Sequence, residues 1–384
     1  MTRKEKILRH IDIASSRGIE IAPLVNPVIE KSDGDVYYVD HATTDELKQK
    51  FRDDKNINTE MICHVDYVWG EQTLSEAVGS SGLFDYCVSS HVIEHVPDLV
   101  SWLREISEIL TDEGIASFAI PDKRYTFDAR RRITSISDVV GAYVRKLRRP
   151  SGFNIYDHLN NFINVPVSDA WDPAFDASQV PKVYSRDVAL TAAIELENAD
   201  TYNDCHCWVF TPRSFLSLMA EMGEHGLLDF EVIDFYGTEH NTLEFFAALR
   251  KISPTLSPEQ KRELSAASAR KWLSGLPVEE DRETIALRSD LDATKAHLEQ
   301  AMSDLGRTKS DFERTKDDFE QAKADFERVK SEGDKAVRQL KDDLRQTELE
   351  NKQLALQVAA LRESTSWRVT APLRWVVERF RGMR

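Results

Sequence analysis

From residue 18 to residue 252 short apolar runs alternate with amphipathic stretches, and this limits the folds open to the chain. GIEIAPL (18–24) opens on Gly18, and DVYYVDH (35–41) closes on Asp40 and His41. MICHVDY (61–67), LFDYCVSSHVI (83–93) and GIASFAIPD (114–122) follow. The stretches between them have helical character. TTDELKQKF carries Thr43 and Glu46 at capping-box spacing. PDLVSWLREISEIL repeats Leu99, Leu103, Ile106 and Leu110 at helical intervals before the turn chemistry of Asp112–Gly114. Runs that are apolar on both faces and alternate with helices predict a parallel sheet covered on both sides. LLDFEVIDFYGT (227–238) and NTLEFFAALRKI (241–252) are parted only by a tight turn, so they pair antiparallel. The expected fold is α/β: a doubly wound, mostly parallel seven-stranded sheet with a reversed edge.

In such a sheet a ligand settles outside the carboxyl ends of the strands, where the strand order reverses. The residues expected there are Glu20 to Pro23 (with Ala22 between), Asp40 with His41, Asp66, Ser89, Ser90, His91, and Pro121–Asp122. An acid closing the second strand can accept two hydrogen bonds from a ribose diol, the role given to Asp40. An acid closing the third can receive the exocyclic amine of adenine, the role given to Asp66. Either aspartate would serve equally well as a cap of the following helix.

FDYCVSSHVIEHVPDLVSWLREISEILTDEGIASFAIPD resembles the block from the fourth to the fifth strand of small-molecule class I methyltransferases. The matching features are Phe84-Asp85, a polar-tipped strand, Ile93-Glu94-His95-Val96-Pro97-Asp98, an amphipathic helix, a turn at Gly114 and a strand closing on Pro121. GIEIAPLVNPVI followed by YYVDH is similar to the first two strands of a bacterial subgroup associated with surface-polysaccharide gene clusters. The resemblance spans residues 15–250. It implies S-adenosyl-L-methionine as cofactor, held by Glu20, Ala22, Pro23, Asp40, His41, Asp66, Ser89 and Ser90. Most members turn after the first strand through glycines, and the subgroup has one where this chain has Ala22. What the extra methyl group does there depends on whether φ is positive.

Methyl transfer needs an acceptor aligned with the sulfonium carbon and, for a hydroxyl, a base. His91 and the Glu94-His95 pair are the first base candidates. In relatives this stretch lines the pocket, and a Glu–His pair sometimes holds a divalent metal. A single pair is here read as a helix-cap histidine at His95, and no metal is expected.

Residues 123–226 are far more than one crossover helix requires, so they contain an insertion. In methyltransferases an insertion at this place shapes the acceptor pocket. Asp122, Arg124 and Asp128 follow the strand end, and the Arg124 fork suits a carboxylate, a phosphate or sugar hydroxyls. In TYNDCHCWVFTPRSF (201–215) alternation puts Asp204, His206 and Trp208 on one face of an extended strand, near Tyr202, and Cys205 and Cys207 on the other. That suits a sugar-binding wall with His206 as a second base, and does not suit a Cys-His-Cys metal cluster. A partly buried histidine satisfied by backbone is the equal alternative.

Bulk properties set the remaining bounds. A net charge of -16 argues against a nucleic-acid partner. Four cysteines in 384 residues do not look like a disulfide framework. No run approaches the roughly 20 apolar residues of a membrane span, and the charged N-terminus lacks the apolar core of a signal peptide. A cytoplasmic location is expected.

The domain is expected to end at residue 252, followed by a linker (253–284) with room for a short helix, a coiled coil (285–363) and a basic amphipathic tail (364–384). Leu291, Leu298, Leu305, Phe312, Phe319 and Phe326 recur at heptad spacing, with Thr294, Ala301, Thr308, Thr315, Ala322 and Val329 three residues after each. After a register shift at Gly333 the seam continues through Val337, Leu340, Leu344, Thr347, Leu354, Val358 and Leu361. At ~1.5 Å per residue this predicts a rod on the order of 100 Å long that makes the protein a homo-oligomer. Asn351 in the seam favours a parallel dimer; alternation of Phe with small residues leaves a trimer open. The tail mixes Trp367, Trp375 and Phe380 with five arginines. It suits an anionic membrane surface, here the inner face, or docking onto a glycosyltransferase. STSWRVTAPLR within it also resembles a phrase found in bacterial polysaccharide glycosyltransferases. The expected function is methyl transfer to a sugar or glycan intermediate in surface polysaccharide biosynthesis. The alternatives are a degenerate scaffold that organises glycan assembly enzymes, or an enzyme acting on a lipid or small metabolite.

Overall fold

The structure is a computed structural model that describes residues 1–199, 201–277, 294–295, 298, 300–302, 304–309 and 326–363. The chain divides into two units, Met1–Glu279 and Glu280–Arg384.

In the first unit α1 (Arg3–Leu8) starts from a Thr2–Glu5 capping box. β1 (Arg17–Ile21), β2 (Asp35–Asp40), α2 (Thr44–Lys50), β3 (Tyr67–Val68), α3 (Leu74–Val78), β4 (Phe84–Ser90), α4 (Leu99–Ile109) and β5 (Leu110–Pro121) follow. The Thr43–Glu46 box caps α2 as its spacing predicts. The segment after β5 holds α5 (Ile136–Arg145), α6 (Gly152–Asn161), α7 (Val167–Ala170), α8 (Arg186–Asn198) and α9 (Pro212–Glu224), and the unit closes with β6 (Phe230–Tyr236), β7 (Glu244–Lys251) and α10 (Pro258–Gly275).

The seven strands are ordered β3-β2-β1-β4-β5-β7-β6. β1 to β5 run parallel, and β7 lies antiparallel between β5 and β6. The hairpin therefore inserts its second arm into the sheet, so that the reversed strand is the penultimate one and β6 forms the edge. One face buries Ile19, Ile21, Val39, Cys87 and Phe118 against α4 and α9. The other buries Val36, Tyr38, Tyr86, Val88 and Phe246 against Ile7 of α1 and Val28 and Ile29 of the β1–β2 connection. Gly18 is required for this second layer, since a Cβ there would lie 1.8 Å from the Tyr86 ring.

Four features differ from the sequence-based expectation. The β1–β2 connection, residues 22–34, carries no helix. β3 pairs over only Tyr67–Val68, after most of the run expected to form it. β5 starts at Leu110 rather than Gly114, with Glu113 left-handed (φ 64°) where the register against β4 shifts. The stretch expected as a linker is largely α10, capped by Ser257 and packed on α9 and β6. Its contact face is small: Ser265, Ala266 and Ala269 are buried. A Cβ on Gly223 would meet the Ala266 nitrogen at 2.7 Å, so glycine sets how closely α9 and α10 approach.

In the second unit α11 (Phe326–Glu363) is one continuous helix through Gly333. Val337, Leu340, Leu344 and Leu354 are exposed along it. The heptads at Phe312 and Phe319 and the tail 364–384 lie outside the described residues. Among the described residues no helix is long and apolar enough to cross a membrane.

Candidate active site

Strand order reverses between β1 and β4, and there the chain leaves β1 by an unusual turn. Ala22 is left-handed (φ 52°), as is Leu24 (φ 48°), and the Ala22 N–H donates to the Val39 carbonyl at 2.7 Å. The Glu20 carboxylate accepts from the Val28 and Ile29 amides at 2.7 and 3.0 Å, folding the connection back over the strand end. Burial pushes this carboxyl up to about 7, against the pull of those two hydrogen bonds. Beside it opens a cavity of about 300 Å³, lined by Arg3, Glu20, Ala22, Pro23, Asn26 and Ser90.

Asp40 ends β2 beside this turn, since Ile21 is in register with Val39. It is buried and accepts from the His41 amide at 2.7 Å, with His41 Nδ1 at 2.6 Å. It caps no helix; Thr43 caps α2. Asp66 is placed differently from expectation. It precedes β3, its carboxylate accepts from the Tyr38 amide at 2.6 Å, and it pairs with Lys31. The residues that close the third strand are Val68 and Trp69, whose amide donates to the Asp40 carbonyl at 2.8 Å. Glu20 and Asp40 therefore converge on the crevice, while Asp66 braces β2 lower down.

At the end of β4, Ser89 is buried with its hydroxyl unpartnered among the described residues, and Ser90 accepts from Arg3 at 2.5 Å. An orphaned hydroxyl, a neighbouring cavity and an acid closing β2 fit an adenosyl cofactor lying across the strand ends. His91 turns the chain with φ 54°, and its Nε2 lies 2.9 Å from Glu244 of β7. Burial would raise the Glu244 carboxyl, but hydrogen bonds from His91 and Arg3 hold it at about 2.

The loop that follows places Glu94 and His95. Asp98, not His95, caps α4, accepting from the Ser101 amide at 3.0 Å. His95 Nδ1 instead lies 2.9 Å from Asp204, whose carboxyl is held at about 2 by that partner although partial desolvation opposes it. His206 Nδ1 lies 2.5 Å from Asp128. Arg131 bridges Asp128 and Asp157 at 2.9 and 2.8 Å. His206 and Arg131 keep the Asp128 carboxyl well below the usual range, although burial opposes them.

Glu94 lies at the centre, 0 % exposed, and neither of its carboxylate oxygens has a hydrogen-bond partner among the described residues. Its Oε1 is 3.6 Å from His91 Nδ1, 3.8 Å from His95 Nε2 and 3.9 Å from His206 Nε2. One ligand atom from each of Glu94, His95 and His206 lies within 4.8 Å of the others. The four residues read as base candidates are thus brought together.

Four substrate-binding expectations change. Residues 201–209 form no strand. Trp208 is 3 % exposed and donates its indole N–H to the Val96 carbonyl at 2.6 Å, so it belongs to the core and not to a sugar-binding wall. Arg124 wraps Asp122 through contacts of 2.6–3.1 Å, committing its fork inside the protein. The same Asp122 is fully buried and also accepts from Thr238 at 2.7 Å. Asp128 is buried as the partner of His206, out of reach of an acceptor. Tyr202 and Asp204 do remain at the surface, 3.3 Å apart, with the Tyr202 ring stacked near His41. Arg3, Asn26 and Glu244 were not expected here. They come from the N-terminal helix, the first connection and the far hairpin, and no local motif marks them.

Residues 9–224, more than half of the chain, match the family described as methyltransferase domain. No curated protein matches. Among solved structures, the chain is similar to an S-adenosylmethionine-dependent methyltransferase from Mesorhizobium loti (11% identity, 62% of this chain and 92% of that one, TM-score 0.31). Another, from Listeria monocytogenes, matches at 8% identity over 65% of this chain and 98% of that one, TM-score 0.33. The CurJ carbon methyltransferase matches at 11% over 64% of this chain, TM-score 0.29, and the chain spans only 51% of that structure's length. The chain belongs to the methyltransferase-domain family and is a methyltransferase.

Proposed function

We propose that this enzyme methylates a hydroxyl oxygen of a sugar or glycan intermediate in surface polysaccharide biosynthesis. The observation that carries the reading is the row of histidines at the end of β4, each with one ring nitrogen on a carboxylate: His91 on Glu244, His95 on Asp204, His206 on Asp128. A hydroxyl must lose its proton as it is methylated, and a histidine whose far N–H is given to a carboxylate keeps the other nitrogen free to accept one. His91 is partly exposed and directly follows Ser90 of the cavity wall, so it is the base, with Nδ1 receiving the proton. Asp40 and the strand ends would hold S-adenosylmethionine, which would supply the electrophilic methyl group and leave as S-adenosylhomocysteine. Tyr202 and Asp204 border the acceptor side and suit sugar hydroxyls.

Mass spectrometry of surface glycan from a strain lacking the protein tests this. Loss of a methyl group, restored by the wild type and not by His91→Ala, is expected; unchanged methylation overturns the acceptor assignment.

The exposed Val337, Leu340, Leu344 and Leu354 support a second copy of the chain as partner for residues 285–363. A monomeric mass in light scattering overturns that reading. The tail is proposed to hold the cytoplasmic enzyme at the inner membrane face, through lipid or a glycosyltransferase. Removing 364–384 should then empty the membrane fraction, and an unchanged fraction is the contrary result.

A further inference from the structure

We infer that Glu94, His95 and His206 form a binding site for one divalent first-row transition-metal ion. The starting observation is the Glu94 side chain. A carboxylate with no exposure and, among the described residues, no hydrogen bond is costly to bury, and such groups in proteins are paired or bound to metal. Three histidine nitrogens stand 3.6–3.9 Å from its Oε1, beyond hydrogen-bond reach. That gap is of the right size. Ligands about 2.1 Å from a tetrahedral ion stand about 3.4 Å from each other; here the two Nε2 atoms lie 3.8 and 3.9 Å from Glu94 Oε1, and all three ligand atoms lie within 4.8 Å of one another.

The orientation of the rings supports the same conclusion. His95 and His206 both give Nδ1 to a carboxylate, Asp204 and Asp128, which leaves Nε2 of each as the lone-pair nitrogen. Both Nε2 atoms point at Glu94 Oε1. An outer carboxylate that fixes the tautomer of an inner histidine is the arrangement by which metal-bound imidazoles are oriented. Asp128 is itself tied to Arg131, and Arg131 to Asp157, so the support runs two layers deep. The backbone locks the two ligand segments together: the Cys207 and Trp208 amides donate to the Glu94 carbonyl at 2.6 and 3.1 Å.

Two imidazoles and one carboxylate are a borderline donor set that selects ions such as Zn²⁺, Fe²⁺ or Mn²⁺, and three protein ligands leave a coordination position open. Resting on the methyltransferase reading, that open position is where the acceptor oxygen would sit, next to His91, with its proton acidity raised by the ion.

The test uses the full chain and Zn²⁺ as probe, in competition with a chromophoric chelator. One Zn²⁺ per chain is expected, weakened at least 100-fold in Glu94→Gln and about 10–100-fold in Asp204→Asn, which removes only the outer support. Zn²⁺ should also raise the Tm of the wild type and leave that of Glu94→Gln unchanged, a comparison that stands even if the variant is less stable. Absence of stoichiometric Zn²⁺, or equal affinity in wild type and Glu94→Gln, overturns the site. Binding of S-adenosylhomocysteine, measured on the same samples without metal, is expected to survive Glu94→Gln, so failure of the metal site and failure of the methyltransferase reading are told apart.

Discussion

Replacing Ala22 with glycine should make this enzyme more stable, which is unusual for a change that deletes a side-chain carbon. Ala22 has φ 52°, where an L-residue with a Cβ suffers a clash with its own carbonyl worth about 1–2 kcal/mol. Glycine removes that strain; against it stand the extra freedom of the unfolded chain, about 0.4–1 kcal/mol, and the lost packing of the Ala22 methyl on the core. The hydrogen bond from residue 22 to Val39 is made by backbone and survives the change. The net gain is at most about 1 kcal/mol, or up to about 2–4 °C in Tm for a unit of this size. Thermal unfolding of apo Ala22→Gly against wild type reads it directly. Because the Cβ lines the cavity, affinity for S-adenosylhomocysteine should be equal or tighter. A lower Tm would mean that Ala22 is not strained, and the reasoning about this turn would fail with it.

Trp208→Ala should cost about 3–5 kcal/mol in urea unfolding, because it empties a packed site and orphans the Val96 carbonyl; a loss below about 1 kcal/mol would restore an exposed, substrate-facing role. Glu20 gives a pH dependence of definite sign. Its folded carboxyl titrates near 7 against an ordinary 4.5, so between those values the folded apoprotein keeps a proton the unfolded chain has lost. Stability therefore declines as pH rises through that window and levels off above it. Glu20→Gln should flatten the decline, and an unchanged slope would assign it to another group.

The strand–helix alternation was legible because parallel strands buried on both faces must be apolar throughout, and β1, β2, β4 and β5 read that way. β3 was not, because an edge strand of two residues has almost no pattern, and Ile62–Asp66 borrows the composition of a strand while forming irregular chain. α10 was legible only as a short helix within a linker, for a different reason. It packs through serine and alanine on Gly223, and small residues carry no hydrophobic stripe. Local motifs placed Glu20, Asp40, Ser90 and His91 at or beside strand ends, and the structure has them there. Convergence across the chain stayed hidden. Arg3 and Glu244 meet at 2.7 Å from opposite ends of the domain, and Asp128 reaches His206 across the insertion. Arg124 and Trp208 misled because side-chain type does not say whether a fork or an indole faces solvent or a partner within the fold.

The most direct measurement is calorimetric titration of S-adenosylhomocysteine into the wild type and into Asp40→Ala. If the adenosyl group lies across the tips of β1, β2 and β4, the wild type binds one equivalent. Asp40→Ala, which loses hydrogen bonds of about 1.5–3 kcal/mol to the ribose, then binds at least about tenfold more weakly. No heat with the wild type, or full affinity in Asp40→Ala, would contradict that placement.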